Sequence, residues 1–206
     1  MLTSPAGTGD DRVLLESEKR FYPGGWSPDG RRVVFAARSA ETKWDLFTVD
    51  VDESRRVQPF VVSPFNEQHA QFSPDGHWIA YTSDDSGANE VYVRSFPPSD
   101  APAVRVSPAG GALPRWRADG RELYYFRPDR MLMAAPISLQ KARAEVGAAE
   151  PLFVAPRQTL FLNPAGQAAG YVPSADGQRF LITNTPNEQS QSIDLILNWP
   201  ALVRRP

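Results

Sequence analysis

The sequence predicts an all-β fold, a β-propeller-type array of about four four-stranded antiparallel blades. Three observations predict it. A short turn phrase recurs along the chain at nearly fixed spacing, and each copy is followed by a run of β-branched and aromatic residues of strand length. The 20 prolines and 14 glycines are spread between short apolar stretches, as turns between many short strands would be.

The turn phrase is SPDG at 27–30 and 73–76, RADG at 117–120 and SADG at 174–177. Proline at its second position pre-sets φ, aspartate suits the third, and glycine takes the left-handed conformation that closes a three-residue hairpin loop. Recurrence of the aspartate favours turn chemistry over four identical catalytic acids. The residues assigned to these structural turns are Pro28, Asp29, Gly30, Pro74, Asp75, Gly76, Asp119, Gly120, Asp176 and Gly177.

The turn glycines are 46, 44 and 57 residues apart, a spacing typical of propeller blades and not required by a β-sandwich. We expect a flexible N-terminus (1–10), a single domain (11–200) and a C-terminal tail (201–206). The expected blades cover about 18–63, 64–108, 109–156 and 165–200, with 138–150 as a loop. Aromatic residues such as Trp26 and Trp116 are expected to pack between blades.

Segment 11–17 is expected to be an extra outer strand. It either closes the ring with the incomplete last blade or leaves an open arc, and we favour an open or loosely closed array, that is, a partial propeller. Open edges would invite self-association. A further corner, RPDR at 127–130, has Arg130 where a glycine would be usual, so we expect a differently shaped turn there.

Composition excludes several classes of function. The chain has 24 acidic and 22 basic residues, a balance that argues against nucleic-acid binding. It has no apolar run of membrane-spanning length, so no membrane insertion of this segment is expected, and no cysteine for disulfides or thiol chemistry. With no nucleophile-elbow or kinase motif and only two histidines, His69 and His77, we expect no enzyme activity, no metal and no cofactor.

The candidate binding residues lie in polar connections on the loop face and on the inner strands, where we expect a protein or small polar ligand to bind. Segment 83–90 concentrates oxygen ligands, but its spacing does not match a calcium loop, so a hydrated loop is favoured. His69 lies on an inner strand and faces the central channel in this hypothesis. The candidates are Asn66, Glu67, His69, Asp84, Asp85, Asn89 and Arg115.

The segment FSPDGHWIAYTSDDSGANEVYVRSFP (72–97) resembles the repeat of TolB-like propellers, a WD-repeat-like family built on the SPDG motif. The segments PRWRADGRELYYF, YVPSADGQRFLITNTP and LILNW resemble the C-terminal propeller region of bacterial serine/threonine protein kinases and related regulators. The resemblance covers about residues 11–200 and specifies the fold far more closely than the activity.

The resemblance implies a non-catalytic module for protein interaction or ligand sensing, the C-terminal part of a TolB-like propeller of a larger signalling protein. It implies a periplasmic location if the chain follows the membrane-anchored, kinase-linked relatives, and a cytoplasmic one otherwise. The alternative is a propeller enzyme, or the accessory domain of a prolyl-oligopeptidase-like peptidase whose hydrolase domain is missing. A remnant without independent function is a third possibility.

Overall fold

A computed structural model of the chain describes residues 13–17, 19–39, 41–140, 143–155, 170–184 and 192–197. Every regular element within these ranges is a β-strand, which confirms the all-β prediction. The expected flexible N-terminus and C-terminal tail lie outside the described residues.

The strands form four antiparallel sheets, which we call blades 1 to 4 in chain order. Blade 1 contains β1 (Phe21–Trp26), β2 (Arg32–Ser39), β3 (Lys43–Asp50) and β4 (Val57–Val61). Blade 2 contains β5 (Glu67–Phe72), β6 (Trp78–Ser83), β7 (Glu90–Ser95) and β8 (Val104–Arg105). Blade 3 contains β9 (Ala112–Trp116), β10 (Glu122–Phe126), β11 (Met131–Gln140), β12 (Arg143–Val146) and β13 (Glu150–Val154). The described strands of blade 4 are β14 (Tyr171–Pro173), β15 (Arg179–Asn184) and β16 (Ser192–Leu197).

The SPDG corners join the first two strands of their blades through local hydrogen bonds. In blade 1 the hydroxyl of Ser27 donates to Asp29 Oδ1 over 2.6 Å, and Gly30 N donates to the Ser27 carbonyl over 2.9 Å. The bond from Ser27 lowers the pKa of Asp29. Gly30 has a φ of 69°, in the region that favours glycine. The same serine-to-aspartate hydrogen bond forms in blades 2 and 4, so the aspartate of these corners is engaged within its own turn.

The corner at 127–130 was expected to have a different shape, but Arg130 adopts the same turn geometry as the glycines. Its φ is 69°, and its N–H donates to the Arg127 carbonyl over 2.9 Å, as the turn glycines do. The left-handed conformation costs about 1–2 kcal/mol for a residue with a side chain. The guanidinium offsets part of that cost, because Nη1 donates to the Ala155 carbonyl over 2.8 Å.

Segment 138–150 is not the expected loop. Strand β11 continues to Gln140 and pairs with β12, so blade 3 carries an additional hairpin. Ile137 and Ala144 are buried on one side of it, with Leu139 and Val146 packed against the same cluster. Alternate residues of the hairpin are therefore buried, as expected for a β-hairpin with one face against the core.

Segment 13–17 contains no strand, so the extra outer strand expected over 11–17 is absent from its described part. Leu15, Glu16 and Ser17 instead line a cleft of about 410 Å³ with Phe35 and Phe47 of blade 1. The segment therefore lies along the face of a blade and not along the edge of one, because its apolar side chain finds an apolar surface there.

Adjacent blades pack through alternating positions of their second strands. Positions five residues after the turn glycine pack against the preceding blade, and positions four residues after it pack against the following blade. The first set comprises Tyr81, Tyr125 and Ile182, and the second comprises Val34, Ala80 and Tyr124. The repeated contact defines three blade-to-blade interfaces within a partial propeller.

Trp26 corrects the expectation that it packs between blades, since 51% of it is exposed. Trp116, at the same position of blade 3, donates its indole N–H to the Gln71 carbonyl of blade 2 over 3.2 Å. Trp26 lies in blade 1, and the described part of the chain places no blade before it. Its exposure follows from the absence of that neighbour.

Candidate binding site

The loop side of the junction between blades 1 and 2 holds a bonded polar cluster. Asn66 donates to both oxygens of Asp84, from its backbone N–H over 2.8 Å and from Nδ2 over 2.7 Å. Burial acts to raise the pKa of Asp84, but the hydrogen bonds from Asn66 outweigh it and the pKa is lowered. Two residues predicted for the site are therefore brought together, and their bonds join the loop before β5 to the loop after β6.

Glu67 lies beside this pair, and only 1% of the residue is exposed. The hydroxyls of Ser63 and Ser83 donate to its Oε1 over 2.7 and 3.0 Å, while Oε2 is buried and has no partner among the described residues. Burial raises the pKa of Glu67, the two serine bonds oppose the rise, and the nearby Asp45 and Asp84 add to it. The site thus contains a carboxyl whose charged form is disfavoured.

A pH experiment tests this account of Glu67. In the folded state the pKa of Glu67 is raised above its ordinary value of 4.5, so the folded protein binds the Glu67 proton more tightly than the unfolded protein does. The wild type should therefore lose stability as the pH rises from 4.5 to the folded-state pKa. In Glu67→Gln this loss should be absent, so the stability of the variant relative to wild type should rise with pH. Urea unfolding of both proteins at several pH values measures the difference.

Exposed Glu53 offers the matched control. Glu53→Gln removes the same charge at an exposed position, so comparison of the two variants isolates the effect of burial. Parallel pH profiles for wild type and Glu67→Gln would contradict the account.

His69 and Arg115 form the second group. His69 Nδ1 lies 3.2 Å from the Thr82 hydroxyl, and Nε2 is buried without a partner among the described residues. Burial first, and the charge of Arg115 second, lower the pKa of His69 to about 4, so the ring is neutral near pH 7. The Arg115 guanidinium lies over the ring of Tyr171, 5.7 Å from its centroid.

The remaining two candidates bond elsewhere. Asp85 is exposed, and its backbone N–H donates to the Ser83 hydroxyl over 3.2 Å. The carbonyl of exposed Asn89 accepts from Gly111 N over 2.8 Å, beside a cleft of about 260 Å³ lined by Leu113 and Phe126. The seven candidates thus include the cluster around Asp84, the pair His69 and Arg115, and two separate loop residues.

Sequence reasoning missed Thr82, Ser63 and Ser83, which hold the candidate side chains in place. A signal for one of them was present, because VSP occurs at 62–64 and 106–108, each with its serine 13 residues before a turn glycine. Ser107, the counterpart of Ser63, accepts the backbone N–H of Val91 over 2.7 Å. Thr82 gave no such signal, because its role depends on contact between blades.

The described residues contain no group of three or more histidine, cysteine, aspartate or glutamate side chains arranged to hold a metal ion. Among the same residues, no helix has the length and hydropathy needed to cross a membrane.

Repeated antiparallel blades that pack against one another, with polar residues on the inner strands and loops, define a partial β-propeller. The family model of the TolB beta propeller domain matches residues 8–191. The chain belongs to the TolB β-propeller domain family.

Similar proteins support the fold. An uncharacterized protein of Agrobacterium fabrum is 21% identical over 153 residues, which cover 72% of this chain and 51% of that protein. The crystal structure of TolB from Acinetobacter baumannii matches with a TM-score of 0.62 at 17% identity, covering 94% of this chain and 44% of that one. An oligogalacturonate lyase in complex with manganese matches with a TM-score of 0.61 at 13% identity, covering 93% and 52%. The chain thus aligns with about half the length of this curated relative, and identities this low show the fold alone.

Proposed function

We propose that this chain is a non-catalytic propeller module for protein interaction or ligand sensing, and the C-terminal part of a TolB-like propeller in a larger signalling protein. The observation that carries the proposal is that large apolar side chains remain exposed on both end blades, at Phe21 and Trp26 of blade 1 and at Val172 and Leu181 of blade 4. In the proposed arrangement residues 11–200 belong to one domain, and further blades precede it.

The face of blade 1 has the composition of a blade interface. Phe35 occupies the position that packs against a preceding blade in the other repeats, where Tyr81 makes an edge contact with Phe60. Its ring instead contacts Phe21 and Phe47 of the same blade, with centroids 6.4 and 5.8 Å apart. On this face Phe21 is 38% exposed and Trp26 is 51% exposed, and two such rings fit contact with another blade better than contact with water.

Blade 4 presents the opposite face. Leu181 occupies the position that contacts a following blade in the other repeats, and it is 42% exposed. Val172 of the neighbouring strand is 59% exposed. Closure of a larger ring would cover both ends, and this supports a propeller with more blades than this chain supplies.

The proposed interaction face contains the cluster around Asp84 and the pair His69 and Arg115. Its inner-strand pair retains unused hydrogen-bonding capacity, which suits recognition of a protein or polar ligand. The kinase-linked resemblance favours a sensor domain in a bacterial signalling protein, periplasmic where that protein is membrane-anchored.

Footprinting of Trp26 tests the larger-propeller part of the proposal. The native gene product, isolated from its source with an antiserum against this chain, is expected to be longer than 206 residues. Hydroxyl-radical oxidation should modify Trp26 in the 206-residue chain and spare it in the native product, because a preceding blade would cover it. Buried Trp78 should be spared in both and provides the internal control. A native product of 206 residues in which Trp26 oxidises as fast as in the isolated chain would overturn this part of the proposal.

A further inference from the structure

The inner strands of blades 2, 3 and 4 are linked by polar side chains whose bonding is incomplete. The inference drawn from them rests on the proposed function and specifies what the interaction face binds. His69 lies on β5, Arg115 on β9 and Tyr171 on β14, so three blades contribute to one place.

The hydroxyl of Thr82 can donate its proton to His69 Nδ1. Thr82 Oγ1 accepts the backbone N–H of Leu113 over 3.2 Å, so its own proton is available for His69 Nδ1 at 3.2 Å. A neutral imidazole has one N–H, and an accepting Nδ1 leaves that proton on Nε2. In this tautomer, which the proposed site requires, His69 has a hydrogen-bond donor at Nε2.

This donor has no acceptor in the described part of the chain, although Nε2 is buried. Buried donors are nearly always paired, and an unpaired one at a polar site points to an absent acceptor. Tyr171 does not supply it, because its hydroxyl donates to the Leu113 carbonyl over 2.9 Å.

The Arg115 guanidinium is a second donor group that lacks a carboxylate partner. Its Nη1 donates to the Pro114 carbonyl over 2.9 Å, and within the described ranges it forms no ion pair with a carboxylate. The guanidinium has five donor hydrogens in a planar fork that suits a carboxylate. Thr82 on β6 and Arg115 on β9 act on His69, and among the described residues no carboxylate hydrogen-bonds to His69 or forms an ion pair with Arg115.

Backbone strain marks the same position in both blades. His69 has a φ of 58° and Leu113 a φ of 61°, and each lies where the pairing of the inner strand shifts register. Left-handed conformations of residues with side chains are costly and cluster at functional sites.

We propose that His69 Nε2–H and the Arg115 guanidinium, on the inner strands of blades 2 and 3, bind a carboxylate group. An acidic side chain or C-terminus of a partner peptide, or a small organic acid, would supply it. Two donors from different blades fix the orientation of a planar carboxylate, and binding satisfies the buried Nε2.

Imidazole NMR tests the proposal, because the chain has only two histidines and exposed His77 is an internal control. Sodium acetate is titrated into the protein at neutral pH, with sodium chloride matching the ionic strength and inorganic phosphate as a separate arm. We expect acetate to shift the His69 ring resonances saturably and to raise the His69 pKa by about one unit, since a bound anion favours the imidazolium. The His77 resonances should not respond.

Variants of two arginines in blade 3 complete the test. Arg115→Met should weaken acetate binding by about tenfold or more, whereas Arg121→Met, at the exposed corner of the same blade, should leave it unchanged. A shift that persists in Arg115→Met would overturn the proposal. Retained dispersion of the amide spectrum shows that each variant is folded.

The other outcomes also decide. A response to phosphate without one to acetate would overturn the carboxylate assignment in favour of a phosphate group. A long-lived internal water at Nε2, seen as a water contact in the NMR spectrum, with no response to either anion would show that water alone satisfies His69. None of these results depends on Trp26, so failure of the carboxylate site and failure of the larger-propeller proposal are distinguishable.

Discussion

Phe180→Ala is expected to lower the free energy of unfolding by about 3–5 kcal/mol, the range for truncating a buried aromatic residue. Phe180 is fully buried in blade 4 and makes edge contacts with two rings of blade 3. Its centroid lies 5.0 Å from that of Tyr124 and 5.6 Å from that of Phe153. The substitution would leave a cavity at the only interface that holds the described strands of blade 4, and neighbouring β-strands cannot collapse to fill it.

Urea unfolding measures the loss, and hydrogen exchange locates it. Amides of β14 and β15 should exchange faster than those of blades 1 and 2, because blade 4 would open locally before the rest unfolds. Val172→Ala, at an exposed position of β14, is the matched control, with an expected effect within about 0.5 kcal/mol. A Phe180→Ala protein as stable as this control would contradict the described interface.

Gly24→Ala is expected to destabilise the protein by about 1–3 kcal/mol through overpacking. A Cβ at Gly24 would lie 2.5 Å from the Ala70 carbonyl oxygen of blade 2 and 3.0 Å from the Val34 carbonyl oxygen. Both are backbone atoms, so relief requires the inner strands of blades 1 and 2 to separate. The two blades approach this closely because position 24 has no side chain.

Neighbouring Gly25 provides the control on the same strand. A Cβ there would meet only the end of the Gln71 side chain, at 3.3 Å, and that side chain can move. Gly25→Ala should therefore cost less than Gly24→Ala when both are compared by urea unfolding. Hydrogen exchange should show faster opening of β1 in Gly24→Ala alone, and equal losses in the two variants would argue against the close approach.

The sequence was sufficient for features that depend on neighbouring residues. Turn phrases and the runs after them predict strands because proline, aspartate and glycine act within a few residues of one another. The hairpin at 138–150 was missed because its helix-favouring composition is outweighed by burial of Ile137 and Ala144 against blade 2 and the rest of blade 3. Arg130 was misjudged because its partner, the Ala155 carbonyl, lies 25 residues away.

The candidate site was predictable only as a set of polar residues. Asn66 and Asp84 were recognisable as loop residues, but their direct contact depends on how the loops of blade 2 meet. Thr82 was not recognisable, since its hydroxyl joins His69 of its own blade to Leu113 of the next. Contacts between blades depend on how the strands of one blade are aligned against those of the next. That alignment cannot be inferred from residues that are neighbours in the sequence.

The corners of successive blades lie close together, with the proline of one corner beside the glycine of the next, so the order of the blades matters. A Cβ at Gly76 would lie 3.3 Å from the ring of Pro28, and one at Gly120 would lie 3.7 Å from the ring of Pro74. Blade 3 has Ala118 in place of the proline, and the space beside Gly177 is filled by the Tyr124 hydroxyl instead. Tandem duplication of a blade would therefore preserve the contact only where a proline-bearing corner precedes one with an open glycine. We expect a second copy of blade 2 inserted after blade 2 to fit its neighbours. A second copy of blade 3 inserted after blade 3 would instead place Ala118 beside the glycine of the next corner, where the original array has a proline ring.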